Sequence, residues 1–317
     1  MEEKRTKEIE EAVIEPELRI CDAHHHLWDI AGDRYMTQDL LRDIGGQKVV
    51  KTVCVEAWGR AQRSGWLKEP AEQTAFAVAD SAKNKGDTQV AAGIVGYADL
   101  MEGDGVARVI EAHFAAGRGR FRGIRLAPGS MFNDAKFVEG FRHIVKYNLT
   151  VDAIVHGQQL LELKALANRY PEVPIVINHL GLVTLRHPPG HSHATDNVDE
   201  NVRSWKIMVD SMGECPSLFM KLGGLGMDMA GAGWNKPTKP DSVELAAIMK
   251  PWFTYCIEKF GPERCMFESN FPVDRRSFSY TVYWNAAKRF SKAYSRSERD
   301  ALFFGTAAKV YRLERRG

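Results

Sequence analysis

The sequence has no CxxC pair, no apolar run long enough to cross a bilayer, and almost no net charge. Each absence excludes a class of protein. The five cysteines, Cys21, Cys54, Cys215, Cys256 and Cys265, are scattered and odd in number, which argues against a disulfide framework or a thiolate zinc site. Cys21, Cys54 and Cys265 sit in or beside apolar runs and read as reduced, buried thiols. Lys and Arg total 43 against 41 Asp and Glu, a formal net charge of +2, so nothing favours nucleic acid or an anionic membrane as partner. Residues 1–17 are charged and lack an apolar stretch of signal-peptide length, so the expected location is the cytoplasm. No internal repeat and no domain linker is found. No glycine-rich dinucleotide fingerprint follows the first apolar run, which argues against an open doubly wound sheet.

What is present is the makings of one large core. The 317 residues are 44% hydrophobic and 26% charged, an ordinary globular balance that needs no disulfide or structural metal to fold. Eight short apolar runs stand out, at residues 18–23, 51–56, 89–97, 121–126, 150–155, 173–178, 217–222 and 264–268. Helical patterns lie between them, at 72–85 after Pro70, 106–116 before Gly117, 135–146, 158–169, 202–212 and 243–260. Two more, 280–293 and 306–312, follow the eighth run. Strand–helix alternation of this kind predicts an α/β fold, a single-domain (β/α)8 TIM barrel over residues 18–317 behind a charged tail, 1–17. Long βα loops follow strands six and seven, at 181–201 and 223–241, and would rise over the catalytic face. The first holds His187, His191 and His193 among prolines and reads as a solvent-exposed insertion; the second holds Trp234.

A barrel gathers its strand ends into one ring, so residues at those ends carry the chemistry. Asp22-Ala23-His24-His25-His26 ends the first run. Alternation places His24 and His26 on one side and His25 on the other, and two imidazoles together suit a divalent metal or a substrate oxygen. His156 follows the fifth run and His179 the sixth, so all four sites meet if the barrel closes. The eighth run ends in Glu268-Ser269-Asn270-Phe271-Pro272-Val273-Asp274. Glu268 lies inside the strand, and Asp274 is the nearest aspartate able to serve as acid or base; Asn270 can orient a substrate but takes no proton. Glu56, Arg125 and Lys221 end strands two, four and seven. A carboxylate there is costly unless paired, and two cations at the mouth suit a substrate carboxylate, though each could instead pair with Glu56 or Glu268. Trp28, Trp58 and Trp234 could wall a pocket for a flat ring.

His24-His25-His26, His156, Ile177-Asn178-His179-Leu180-Gly181 and Ser269-Asn270-Phe271-Pro272, in that order, resemble the amidohydrolase-related family. Phe304-Gly305-Thr306-Ala307-Ala308-Lys309-Val310-Tyr311 is similar to its closing helix. The likeness covers nearly the whole chain beyond residue 17 and is greatest to the branch of 2-pyrone-4,6-dicarboxylate lactonase and sugar lactonases. The resemblance implies a hydrolase acting on a small cyclic substrate, most plainly a lactone carrying a carboxylate or hydroxyls. It implies a metal site at His24, His26 and His156, zinc being the first candidate; on the reading of the strand ends, His179 or Asp274 would manage the proton of the attacking water. Substrate contacts fall to Arg125, Glu56, Lys221 and Trp58. Metal-binding members carry an aspartate where this chain has Asn270, so a metal-free site stays open. Two other readings also stay open, a metal-dependent decarboxylase of an aromatic acid and an inactive ligand-binding barrel, and so does a homo-oligomer.

Overall fold

The computed structural model describes residues 10–126, 132–155, 159–183, 198–227 and 239–313. His156, Trp234 and the tract of His187, His191 and His193 lie outside the described residues. The eight apolar runs become eight parallel strands in chain order. They are β1 (Ile20–His25), β4 (Val49–Val55), β5 (Gln89–Tyr97), β6 (Phe121–Leu126), β7 (Thr150–Ala153), β8 (Ile175–Ile177), β9 (Leu218–Leu222) and β10 (Cys265–Phe267). Between β1 and β4 a short antiparallel hairpin forms from β2 (Trp28–Ile30) and β3 (Asp33–Tyr35). It turns through Ala31-Gly32, with Gly32 at φ 77, a conformation that favours glycine.

The seam between β10 and β1 is closed just beyond the strands. His25 bridges Phe271 in parallel, His26 N–H donates to the Phe271 carbonyl at 2.8 Å, and Asn270 N–H donates to the His24 carbonyl at 2.9 Å. Asp22, fully buried, ties the same seam: it accepts from Ser269 N–H at 2.9 Å, Ser269 Oγ at 2.6 Å and the Tyr280 hydroxyl at 3.0 Å. The TIM barrel expected from the alternation is therefore what the chain builds. No described helix is long and apolar enough to cross a membrane.

The larger core lies between strands and helices, and a smaller one lies inside the barrel. In the latter, Cys21, Ala23, Val53, Val55, Val176 and Met266 pack with Ala307, Ala308, Val310 and Tyr311 from the C-terminal segment. That segment plugs one end of the barrel. The β1–β4 register shifts between Asp22 and His25, so the strand that points Cys21 and Ala23 inward also brings His24 and His26 inward. The polar ring described next sits on this apolar floor.

Candidate active site

β1 delivers two imidazoles. His24 Nε2 and His26 Nε2 face one another at 3.2 Å, with the rings edge-on at 4.8 Å. His26 Nδ1 lies 2.9 Å from the Val55 carbonyl, which can only accept, so Nδ1 holds the proton and Nε2 the lone pair. His25 turns away to Thr52 Oγ1 at 2.8 Å, the alternation expected of an extended segment.

The third imidazole comes from β8. His179 follows Ile175–Ile177 at once, and its ring centroid lies 4.7 Å from that of His24. The backbone there takes four successive positive φ values, 54 at His179, 57 at Leu180, 68 at Gly181 and 55 at Leu182. Non-glycine residues adopt this region at a cost, and such strain gathers at sites the surrounding structure holds in place. What holds His179 is Glu268, just past β10. Its Oε1 accepts from His179 Nδ1 at 2.7 Å and from His179 N–H at 3.1 Å. The imidazole is pinned with its Nδ1 proton on the carboxylate, which leaves Nε2 free to take a proton.

Two glycines after β9 make room for this pair. A Cβ at Gly223 would meet Glu268 Cγ at 2.4 Å, and one at Gly224 would meet His179 Cβ at 2.6 Å. Gly224 also has φ 72, so both space and backbone demand glycine there.

Beneath the imidazoles runs a buried charge network. Lys221 Nζ donates to Asp152 Oδ2 at 2.6 Å and reaches His24 Nδ1 at 3.2 Å. Asp152 also accepts from Asn178 Nδ2 at 2.9 Å and from the Tyr311 hydroxyl at 2.8 Å, which links the ring to the apolar plug. Lys221 was expected at the mouth as a substrate contact; the structure instead places it fully buried, with its ammonium on Asp152 and His24. Burial and the Lys221 charge hold His24 well below the usual imidazole range, and burial with Arg125 does the same to His26. Both shifts favour the neutral ring, the form that can offer a lone pair.

Asp274 and Asn270 pair with each other. Asn270 Nδ2 donates to Asp274 Oδ1 at 2.8 Å, and Gly226 N–H donates to Oδ2 at 3.0 Å. Burial pushes the Asp274 carboxyl well above the usual carboxylate range, while these two bonds pull the other way. The carboxylate that reaches the histidines, among the described residues, is Glu268.

A cavity of about 380 Å³ opens beside the ring, and His26 belongs to both. Trp28, Trp58, Tyr97, Glu56 and Arg125 line it. Trp58 and Tyr97 stack with centroids 6.1 Å apart. Arg125 Nε donates to Glu56 Oε1 at 2.5 Å, and its Nη2 donates to the Glu56 carbonyl at 2.6 Å. Glu56 also accepts from Trp58 N–H. Thus Glu56 orients Arg125, and three of the four expected substrate contacts, Arg125, Glu56 and Trp58, line one cavity.

The ring fits a divalent ion. His24, His179 and Glu268 are buried, and one donor atom from each lies within 4.8 Å of the others. Two imidazoles and a carboxylate are a donor set that zinc accepts. Glu268 Oε2 lies 3.0 Å from His24 Nδ1, yet it is buried with no hydrogen-bond partner among the described residues. An orphaned carboxylate oxygen amid imidazole nitrogens is what an ion would satisfy. Of the expected ligands, His24 belongs to this cluster and His26 does not, although its Nε2 lies 3.2 Å from that of His24; His156 is outside the described residues. Glu268 and Asp152 were missed. Both are charged residues in apolar runs, the same cue that singled out Glu56.

A family model described as amidohydrolase matches residues 21–313. The chain belongs to the amidohydrolase family. This amidohydrolase is 28% identical to an uncharacterized protein of Sinorhizobium fredii, over 94% of the chain and 99% of the relative. It is 26% identical to an L-fucono-1,5-lactonase of Burkholderia ambifaria, over 93% of the chain and 96% of that enzyme. A crystal structure of an amidohydrolase from Burkholderia multivorans with bound zinc aligns with a TM-score of 0.73 at 22% identity, covering 94% of this chain and all of that one. At that identity the structural likeness speaks to the fold. Family membership makes this chain a hydrolase, as the sequence resemblance implied.

Proposed function

We propose that this amidohydrolase opens a small lactone that carries a carboxylate or ring hydroxyls. The observation that carries the reading is the His179–Glu268 pair at 2.7 Å, set beside His24 and His26, with His26 also lining a cavity walled by aromatic rings and Arg125. A relative named L-fucono-1,5-lactonase supports the lactone as substrate class.

In this reading water adds to the lactone carbonyl while His179 Nε2 takes its proton, and Glu268 stabilises the resulting imidazolium. The His24 Nε2 proton, turned from His26 Nε2 to the substrate, donates to the carbonyl oxygen and polarises it. The ring C–O bond breaks, and His179 returns the proton to the leaving alkoxide to give a hydroxy acid. Arg125, held in place by Glu56, grips an anionic substituent. Trp58 and Tyr97 cover the ring face. Asp274 fixes the buried Asn270 amide. Where a divalent ion is bound, His24, His179 and Glu268 would hold it, and it would supply Lewis acidity and a more acidic water.

Both settings need His179. In a panel of aldonolactones and carboxylated lactones, followed by proton release, the wild type is expected to turn over at least one, and His179→Ala to lose about 10²–10⁴-fold of that rate with an unchanged melting temperature. A His179→Ala protein with full rate contradicts the assignment. Activity that survives chelation places His179 as base; activity lost on chelation and restored by zinc places it as ligand.

A further inference from the structure

His24 Nδ1 has two neighbours that demand opposite things of it. Lys221 Nζ, at 3.2 Å, can only donate; Glu268 Oε2, at 3.0 Å but not aligned for a hydrogen bond, draws a proton to Nδ1 by its charge when ionised. A neutral imidazole can satisfy one of them. If Lys221 wins, Nδ1 holds the lone pair and Nε2 the proton. That proton then points at His26 Nε2, 3.2 Å away, whose lone pair is free because His26 Nδ1 donates to the Val55 carbonyl. The result is one unbroken chain of donors, from Lys221 through His24 and His26 to Val55, with Asp152 holding Lys221 at its head.

If Glu268 wins, the polarity reverses. Nδ1 carries the proton, and two Nε2 lone pairs face each other at 3.2 Å. That arrangement is repulsive unless a cation sits with them. Ligation of a cation through Nδ1 instead would set it beside the Lys221 ammonium. Either way Lys221 and a bound cation oppose one another.

We propose that Lys221 is a positioning residue that holds His24 in the proton-chain setting and so weakens the ring's grip on a divalent cation. The inference rests on the reading of the ring as an ion site but not on the identity of the substrate. Lys221 is fully buried, and its Asp152 partner is bound in turn by Asn178 and Tyr311, so its ammonium cannot swing away to relieve the conflict. Glu268 favours the other setting. The pair makes the ring switchable, with His24 as the element that switches.

The test is zinc affinity, measured on the full-length protein by competition with a chelating dye. Lys221→Met alone would leave Asp152 buried without its cation, which itself attracts zinc and threatens the fold. The decisive form is therefore the double variant Lys221→Met/Asp152→Asn, which removes both charges together. It is expected to bind zinc about 10-fold more tightly than the wild type, the scale on which partners of a metal-ligating histidine act. Equal or weaker binding overturns the proposal. Absence of zinc binding in wild type and variant alike overturns both the proposal and the ion-site reading, whereas equal binding overturns only the proposal. A second measurement needs no variant fold: in histidine-labelled, zinc-free wild type, the nitrogen shifts of His24, assigned by their loss in His24→Gln, should show Nε2 protonated and Nδ1 bare. A proton on Nδ1 contradicts the claim.

Discussion

Among the described residues two lysines have no solvent exposure, Lys221 inside the barrel and Lys288 on the helix Tyr280–Phe290 outside it. Lys221 is held by a carboxylate and touches an imidazole of the ring. Lys288 is held by neutral oxygens, donating to the Ile14 carbonyl at 2.7 Å, the Glu15 carbonyl at 3.2 Å and Gln47 Oε1 at 2.6 Å. Its neighbour Asn285 works with it, accepting from Ile14 N–H at 3.1 Å and donating to Glu11 at 3.0 Å. One network shapes the reacting groups, and the other fastens residues 11–15 of the N-terminal segment to the barrel. Burial of a charge thus marks a site only where the partners are themselves able to react. Three carbonyl-type acceptors around an ammonium mark an anchor.

The comparison predicts that damage to the first network shows in rate and damage to the second in stability. The largest effect is expected from Glu268→Gln. It removes the charge that stabilises a protonated His179, and the lactone-opening rate should fall about 10²–10⁴-fold with the far-ultraviolet spectrum and melting curve retained. A wild-type rate would erase the distinction between the networks. Next comes Gly224→Ala, whose Cβ would lie 2.6 Å from His179 Cβ at a backbone φ of 72. It should cost about 1–3 kcal/mol of stability and at least tenfold in rate, read by denaturant titration and initial rates. A loss of stability alone would say that His179 tolerates displacement.

The mirror experiment is Lys288→Met. It strands three buried acceptors and should cost about 1–3 kcal/mol in denaturant titrations while leaving turnover per folded molecule unchanged. A lowered rate would mean that the anchor reaches the site. The last effect is one of pH. Burial pulls Lys288 down to about 8, with Glu15 opposing and Arg299 assisting. Its ordinary value is 10.5, so between about pH 8 and 10.5 the unfolded chain binds a proton that the folded one releases. Stability from this group is therefore present at high pH and is lost as pH falls through about 8. Relative to Lys288→Met, the wild type should gain on the order of 1–3 kcal/mol across that window, and a flat difference would contradict the shift.

The barrel was legible because fully buried strands such as Ile175-Val176-Ile177 read as uninterrupted apolar runs, and because helices punctuated by Pro70 and Gly117 separate them. The hairpin of β2 and β3 was not, since three-residue strands carry too little period to register, although the Ala31-Gly32 turn was there to be read. His24, His26 and His179 were legible as strand-end residues, and the structure brings them together. The shift in the β1 register that turns His24 inward with Ala23 leaves no mark in the sequence, because it depends on pairing with β4. Glu268 and Asp152 were hidden for a different reason. A charge within a strand names a need for a partner but not which partner, and Lys221 found Asp152 across two strands rather than Glu56 or Glu268. The pairing of Arg125 with Glu56 was among the alternatives the sequence offered.

The central claim is that His179 and Glu268 act as one unit in opening the substrate ring. A double-mutant cycle of His179→Ala, Glu268→Gln and the pair, read as initial rates on the lactone the wild type turns over, tests it most directly. The account predicts that the double variant is no slower than the slower of the two singles. Losses that multiply would show two groups working apart and would contradict it.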